Sequence, residues 1–171
     1  MNSSSVKEIL DIGLSRVVID MAIAHVGNDD QRFAELMNLM LTSKYPISLR
    51  AAWAVSIIAD ENPYLLDPYI DQLIEGIEDF AHPALTRCTM KYLSFNSIPV
   101  SKLGMMLNLS YKYLLDIKTP IAIRVYAMQI IFNIAQKEPD LKEELRLTIE
   151  SLYETGSAGF KNRASKLLRR L

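Results

Sequence analysis

Along most of the chain, apolar residues return every three or four positions. Leu66, Ile70, Leu73, Ile74 and Ile77 form one such series, and Leu141, Leu145, Ile149 and Leu152 form another. This spacing gathers apolar side chains on one face of a helix, whereas no segment sustains the two-residue alternation of a half-buried strand. Prolines punctuate the helical stretches. Pro46, Pro83 and Pro120 lie 37 residues apart, and Pro63, Pro99 and Pro139 follow them by 17, 16 and 19 residues. A proline suits the first turn of a helix, where its missing N–H is not needed, so the two series mark alternate helix starts. The pattern predicts an N-terminal helix over 6–25, stopped by Gly27, and then pairs of helices. First helices are expected over 29–42, 63–79, 99–116 and 139–155, and second helices over 46–60, 83–96, 120–136 and 159–170. Pro68 falls inside one of these and predicts either a kink or a later start at Asp67, a good N-cap.

The period is also written in a motif. KYPISLR (44–50) returns as KTPIAIR (118–124), with HPALTRC (82–88) midway between them. Arg50, Arg87 and Arg124 keep the 37-residue spacing of their prolines. A degenerate copy, AGFKNRASKLLRRL, puts Gly159 in the proline position and Arg163 39 residues after Arg124. A fixed period between 20 and 50 residues is the signature of a repeat stack, in which terminal copies are atypical. A lone helix pair cannot bury its apolar face, and stacking supplies the neighbours. One repeat domain is expected over 1–171, with an N-terminal cap at 1–28 and repeats at 29–62, 63–98, 99–138 and 139–171.

A helix, a turn ending in an acidic residue, then Pro or a small residue, three more residues and an Arg opening a second helix together resemble HEAT repeats. The resemblance covers the chain from Asp29 onward. The expected architecture is all-α: an elongated, right-handed α-solenoid of about four HEAT-like helix pairs behind an N-terminal capping helix. In HEAT repeats the turn Asp and the helix Arg can pair along the stack. Here Asp79 and Asp116 stand eight residues before their Arg, with Thr42 and Glu154 in the corresponding outer places. Arg50, Arg87 and Arg124 lie beside apolar positions such as Trp53, Ile57, Met90, Ala127 and Ile131. They are expected to be held at repeat junctions by carboxylates or carbonyls rather than to contact a ligand.

Charge and composition narrow the function. Half of the 171 residues are hydrophobic, and 19 basic side chains face 20 acidic ones. That balance lacks the basic field of a general nucleic-acid binder. Cys88 is the only cysteine, so no internal disulfide forms and a reducing cytoplasm is expected. The start MNSSSVKEIL lacks the pattern of a signal peptide, and the longest apolar tract, VVIDMAIAHV, is interrupted by Asp20 and His25, so no membrane span is expected. His25 and His82 lie 57 residues apart without partners at metal-ligand spacing. Neither a Gly-rich phosphate loop nor a G-x-S-x-G elbow is present. The expectation is a non-enzyme with no cofactor and no metal.

Surfaces remain as candidates. Counting two, five and nine residues beyond each repeated Arg collects Ala52, Val55 and Ala59, then Thr89, Tyr92 and Asn96, then Tyr126, Gln129 and Asn133. The last six are expected to form an exposed face of tyrosines and amides that binds protein or peptide; the competing reading is inter-repeat packing with a polar edge. From Asp60 to Asp79 seven acids occur without a Lys or Arg, and Asp67, Asp71, Glu75 and Glu78 are expected on one convex helical face. The last helix sets Lys161, Arg163, Lys166, Arg169 and Arg170 opposite Phe160, Ala164, Leu167, Leu168 and Leu171. It reads as a cap closing the stack, or else as a contact for an acidic partner or headgroup layer. The leading expectation is a cytoplasmic, non-catalytic scaffold or adaptor for proteins, with a monomer favoured. The alternative is a DNA-repair protein, because some bacterial alkylpurine DNA glycosylases resemble this architecture. Those enzymes use a basic groove with tryptophans, whereas Trp53 is the sole tryptophan here and the second-helix face is largely uncharged.

Overall fold

A computed structural model describes residues 5–171. Residues 1–4, assigned above to the N-terminal cap, lie outside the described residues. Ten α-helices follow in order: α1 (Val6–Asp11), α2 (Arg16–Val26), α3 (Asp30–Thr42), α4 (Ile47–Glu61), α5 (Ile70–Glu75), α6 (Pro83–Phe95), α7 (Leu103–Leu115), α8 (Ile121–Ala135), α9 (Leu141–Tyr153) and α10 (Ala158–Leu168). Two 3₁₀ segments, Pro63–Tyr69 and Val100–Lys102, complete the described structure, which contains no strand. The chain divides into two compact units, Met1–Tyr92 and Leu93–Leu171.

Two expected helices are broken. The helix expected over 6–25 is α1 and α2, separated at Ile12–Ser15. Gly13 gives weak helical support there, and the Ser15 hydroxyl caps α2 by accepting from the Val18 N–H at 3.3 Å. Gly27 ends α2 with φ of 52°, a conformation that favours glycine. The helix expected over 63–79 is a 3₁₀ segment up to Tyr69 and then the six-residue α5. Pro68 explains the break, since it cannot donate to an α-helical ladder. The acidic run over 60–79 therefore does not form one continuous α-helical face. Asp60 is paired with Lys91 Nζ at 2.6 Å, and Asp67 accepts from the Tyr92 hydroxyl at 3.1 Å.

The repeated Pro-x-x-x-Arg motif is the first helical turn. Pro46 and Pro120 are N-caps, and their carbonyls accept the Arg50 and Arg124 N–H groups, each at 3.1 Å. The guanidinium groups then go to the C-terminal ends of other helices, where carbonyls lack helical partners. Arg50 Nη1 donates to the Leu10 carbonyl of α1 at 2.6 Å, and Arg124 Nε donates to the Leu114 carbonyl of α7 at 3.0 Å. Arg124 is buried and also stands 5.0 Å above the Phe160 ring. No Asp to Arg pairing forms at these two positions. Asp116 instead accepts from the Lys118 N–H and the Thr119 hydroxyl within its own turn.

Arg87 departs from the expectation, because it is exposed. In α6 the His82 ring caps the helix, with Nδ1 accepting from the Ala84 N–H at 3.1 Å, and the helix starts at its proline, one residue earlier than α4 and α8 start relative to theirs.

In the first unit, α4 packs on α2 and α3 through Ala51, Ala52, Ala54, Val55 and Ile58, whose small side chains allow close approach. In the second, α8 lies against α7, α9 and α10. Ten of its 15 residues are buried, so it is an inner helix rather than an amphipathic surface one. At the turn into α10, a Cβ on Gly156 would stand 2.5 Å from the Phe160 ring, so glycine there lets Phe160 fill the core. The cations of α10 and the residues just after it are mostly occupied within the unit. Arg170 lies 4.9 Å over the Phe132 ring, Lys161 lies 5.5 Å over Tyr153, and Arg163 donates to Gln129. This favours α10 as a cap.

The two kinds of repeat arginine are separable by stability. Arg124→Ala removes a buried hydrogen bond and a ring contact and is expected to cost about 2–4 kcal/mol in urea unfolding, whereas Arg87→Ala should change stability by less than about 0.5 kcal/mol.

Candidate functional site

The face expected to bind a partner is largely an inner surface. Ala52, Val55 and Ala59 are buried, as are Thr89, Tyr92 and Gln129. Tyr126, Asn96 and Asn133 are half-buried. The expected exposure of Thr89, Tyr92 and Gln129 is thus corrected. The reason is that the second helices are covered on more than one side, so a helical phase opposite the apolar stripe does not mean solvent. Each polar group meets this burial differently. The Tyr92 hydroxyl donates to Asp67. The Thr89 hydroxyl finds no partner at all. Gln129 enters a chain of hydrogen bonds.

That chain crosses the second unit. Arg163 Nη1 of α10 donates to Gln129 Oε1 at 2.8 Å, Gln129 Nε2 donates to Asn133 Oδ1 at 2.8 Å, and Asn133 Nδ2 donates to the Ser94 carbonyl at 2.9 Å. Successive second helices are stapled through amides, and the fourth repeat arginine supplies the charged end. A buried amide satisfied on both sides adds rigidity and fixes register.

Asn133, the last side chain in this series, stands at the edge of a cleft of about 240 Å³. Leu93, Phe95, Ile98, Leu103 and Ile134 provide its apolar wall, while Asn96, Asn133 and Lys137 bring polar groups. Two of the six residues expected to bind, Asn96 and Asn133, therefore line one opening, and Thr89, Tyr92, Tyr126 and Gln129 do not line it. Phe95 leaves 63% of its surface exposed, and Lys137 is exposed. Sequence reasoning missed Phe95, although a signal existed: it lies two residues past buried Leu93, on the side of α6 where a polar residue is the usual choice. Ile98 lies in the α6–α7 connection, where no periodicity marks it, and Leu103 is the first residue of α7. Trp53 is half-buried in α4, and no group of three or more His, Cys, Asp or Glu suited to a metal occurs among the described residues.

Burial also sets the chemistry of the titratable groups. It pushes the Cys88 thiol up, and that thiol donates to the Ala52 carbonyl at 3.1 Å, so it is a packing group rather than a nucleophile. Burial together with Asp67 raises the Tyr92 phenol above its ordinary range. Burial, aided by Glu144, pushes Tyr111 up to about 12.

Two measurements follow from these environments. Thr89→Val removes an unpartnered hydroxyl and should leave stability unchanged or raise it by up to about 1 kcal/mol, while Asn133→Ala cuts the amide chain and should cost about 1–3 kcal/mol. The raised tyrosines link stability to pH. Below about pH 10 both folded and unfolded chains keep these protons; above it the unfolded chain loses them first, so stability falls as pH climbs towards the folded values. Denaturant midpoints between about pH 9 and pH 11 should show this decline, and Tyr92→Phe should flatten part of it.

Across known proteins, no curated protein and no solved structure matches this chain. The family described as HEAT repeat domain matches residues 6–171. No described helix is long and apolar enough to cross a membrane. With alternating helices across the matched span and arginines set into the first turn of its second helices, the chain belongs to the HEAT repeat family.

Proposed function

We propose that this protein is a non-catalytic adaptor, a right-handed solenoid of about four helix pairs forming a single domain that docks a protein segment. The observation that carries this reading is the cleft at Phe95, where an aromatic ring stays in contact with solvent beside two amides and a lysine. An exposed aromatic next to a rigid polar frame is the arrangement of an interface anchor. The occupant it fits is a peptide segment that places one apolar side chain in the cleft and a carboxylate near Lys137. Asn133 suits the peptide backbone, because an amide carries two N–H donors and two acceptor sites and its internal hydrogen bonds use one of each. The frame matters as much as the ring. The amide chain from Arg163 to Ser94 holds the wall carrying Asn133, so little ordering is left to be lost on binding. A buried, raised thiol suits work in a reducing cytoplasm.

Selection of linear peptides displayed against the full chain tests the proposal. Enrichment of sequences pairing a Leu, Ile or Phe with a nearby acid is expected. Phe95→Ala and Lys137→Glu should each weaken the selected peptides by about tenfold or more with the unfolding midpoint unchanged. Peptides that bind both variants as well as the parent would place the docking surface elsewhere.

A further inference from the structure

The inner side of α2 is settled: Val18, Ile19, Ala22 and Val26 are buried. The outer side is unusual for a surface helix. Val17, Met21 and Ala24 recur at the four- and three-residue spacing of one helical face, and all three are exposed, Val17 at 68% and Met21 at 46%. The turn leading into the helix adds Ile12 at 65% and Leu14 at 52%. Single exposed apolar residues are ordinary, but a contiguous group marks a contact surface.

The flank of this stripe identifies what covers it. Arg16 and Asp20 run beside the apolar residues and pair with each other at 2.8 Å. A lipid surface is a poor fit, since it calls for basic residues around the stripe, and Arg16 is already neutralised by Asp20. A face bearing one cation and one anion a turn apart is complementary to itself. A two-fold axis perpendicular to α2 keeps the charged flank of both copies on the same side of the seam and reverses its direction. With the axis near Val18, a rise of about 1.5 Å per residue puts Arg16 about 3 Å to one side of the axis and Asp20 about 3 Å to the other. Each Arg16 then stands level with Asp20 of the second copy. The same placement sets Val17 against Val17 of the second copy near the axis.

We propose that the outer face of α2 is a homodimer contact: a second copy of this chain docks antiparallel over Val17 and Met21, and Arg16 and Asp20 exchange ion pairs across the seam. The reading of the sequence favours a monomer; the exposed stripe on α2 points the other way. The contact is separate from the Phe95 cleft and does not depend on it.

Sedimentation equilibrium of the full chain from about 1 to 200 µM tests this, since an interface built on one helix face lies at the small end of the range. A concentration-dependent dimer is expected. Val17→Glu and Met21→Glu should each weaken it by about tenfold or more, as loss of a central apolar contact does, with helical content and thermal midpoint kept. Arg16→Asp should weaken it as well, and the double reversal R16D/D20R should restore it. A monomer throughout the range overturns the proposal. So does a dimer indifferent to both apolar variants, or one that the double reversal fails to recover.

Discussion

A helix leaves its last four carbonyls without partners, and a protein built from short helices meets this problem again at every turn. The solution here is a guanidinium delivered from another helix. Arg50 reaches the end of α1 and Arg124 the end of α7, each set one turn into its own helix by a proline whose carbonyl accepts its N–H. The guanidinium meets both needs of the site, since it donates to carbonyl oxygen and its charge opposes the negative end of the helix dipole. Because the donor comes from a different helix, satisfying the carbonyl also fixes how the two helices meet. The Pro and Arg period therefore records a packing constraint.

The same constraint changes form at the C-terminal end. Arg163 donates to the Gln129 amide rather than to a helix-end carbonyl, and Gln129 passes the hydrogen bonding on to Asn133 and the Ser94 carbonyl. Polar groups inside a helical stack are costly unless paired, and this chain pairs three in succession. Its consequence is functional. The wall of the Phe95 cleft is held by hydrogen bonds that lie behind it, so the apolar ring is offered on a prepared surface.

Much of the architecture was legible. Three prolines and four arginines at a near-constant spacing locate the starts of the second helices to within about a residue or two, because proline's fixed φ and missing N–H restrict where it can stand. Where the reading failed, a local competitor won. Pro68 converted an expected helix into a 3₁₀ segment, and Gly13 with Ser15 divided the first helix into two. Arg87 kept the period but lost the role: it is exposed, and its helix starts at the proline rather than one residue after it.

Sequence by itself determined the helical class, the repeat and the family, because each rests on spacing along the chain and on backbone preferences that act over a few residues. It also singled out the amides at 96, 129 and 133, but it could not assign them. Whether a polar side chain on a second helix faces solvent or another helix depends on neighbours more than thirty residues away. Gln129 and Arg163 illustrate this, being 34 residues apart in sequence and 2.8 Å apart in space. Tertiary packing alone decided that Tyr92 and Gln129 are inside, that Asn96 and Asn133 share a cleft, and that Phe95 and Val17 remain uncovered. Helical phase tells which residues share a face, and only the arrangement of the helices tells what that face meets.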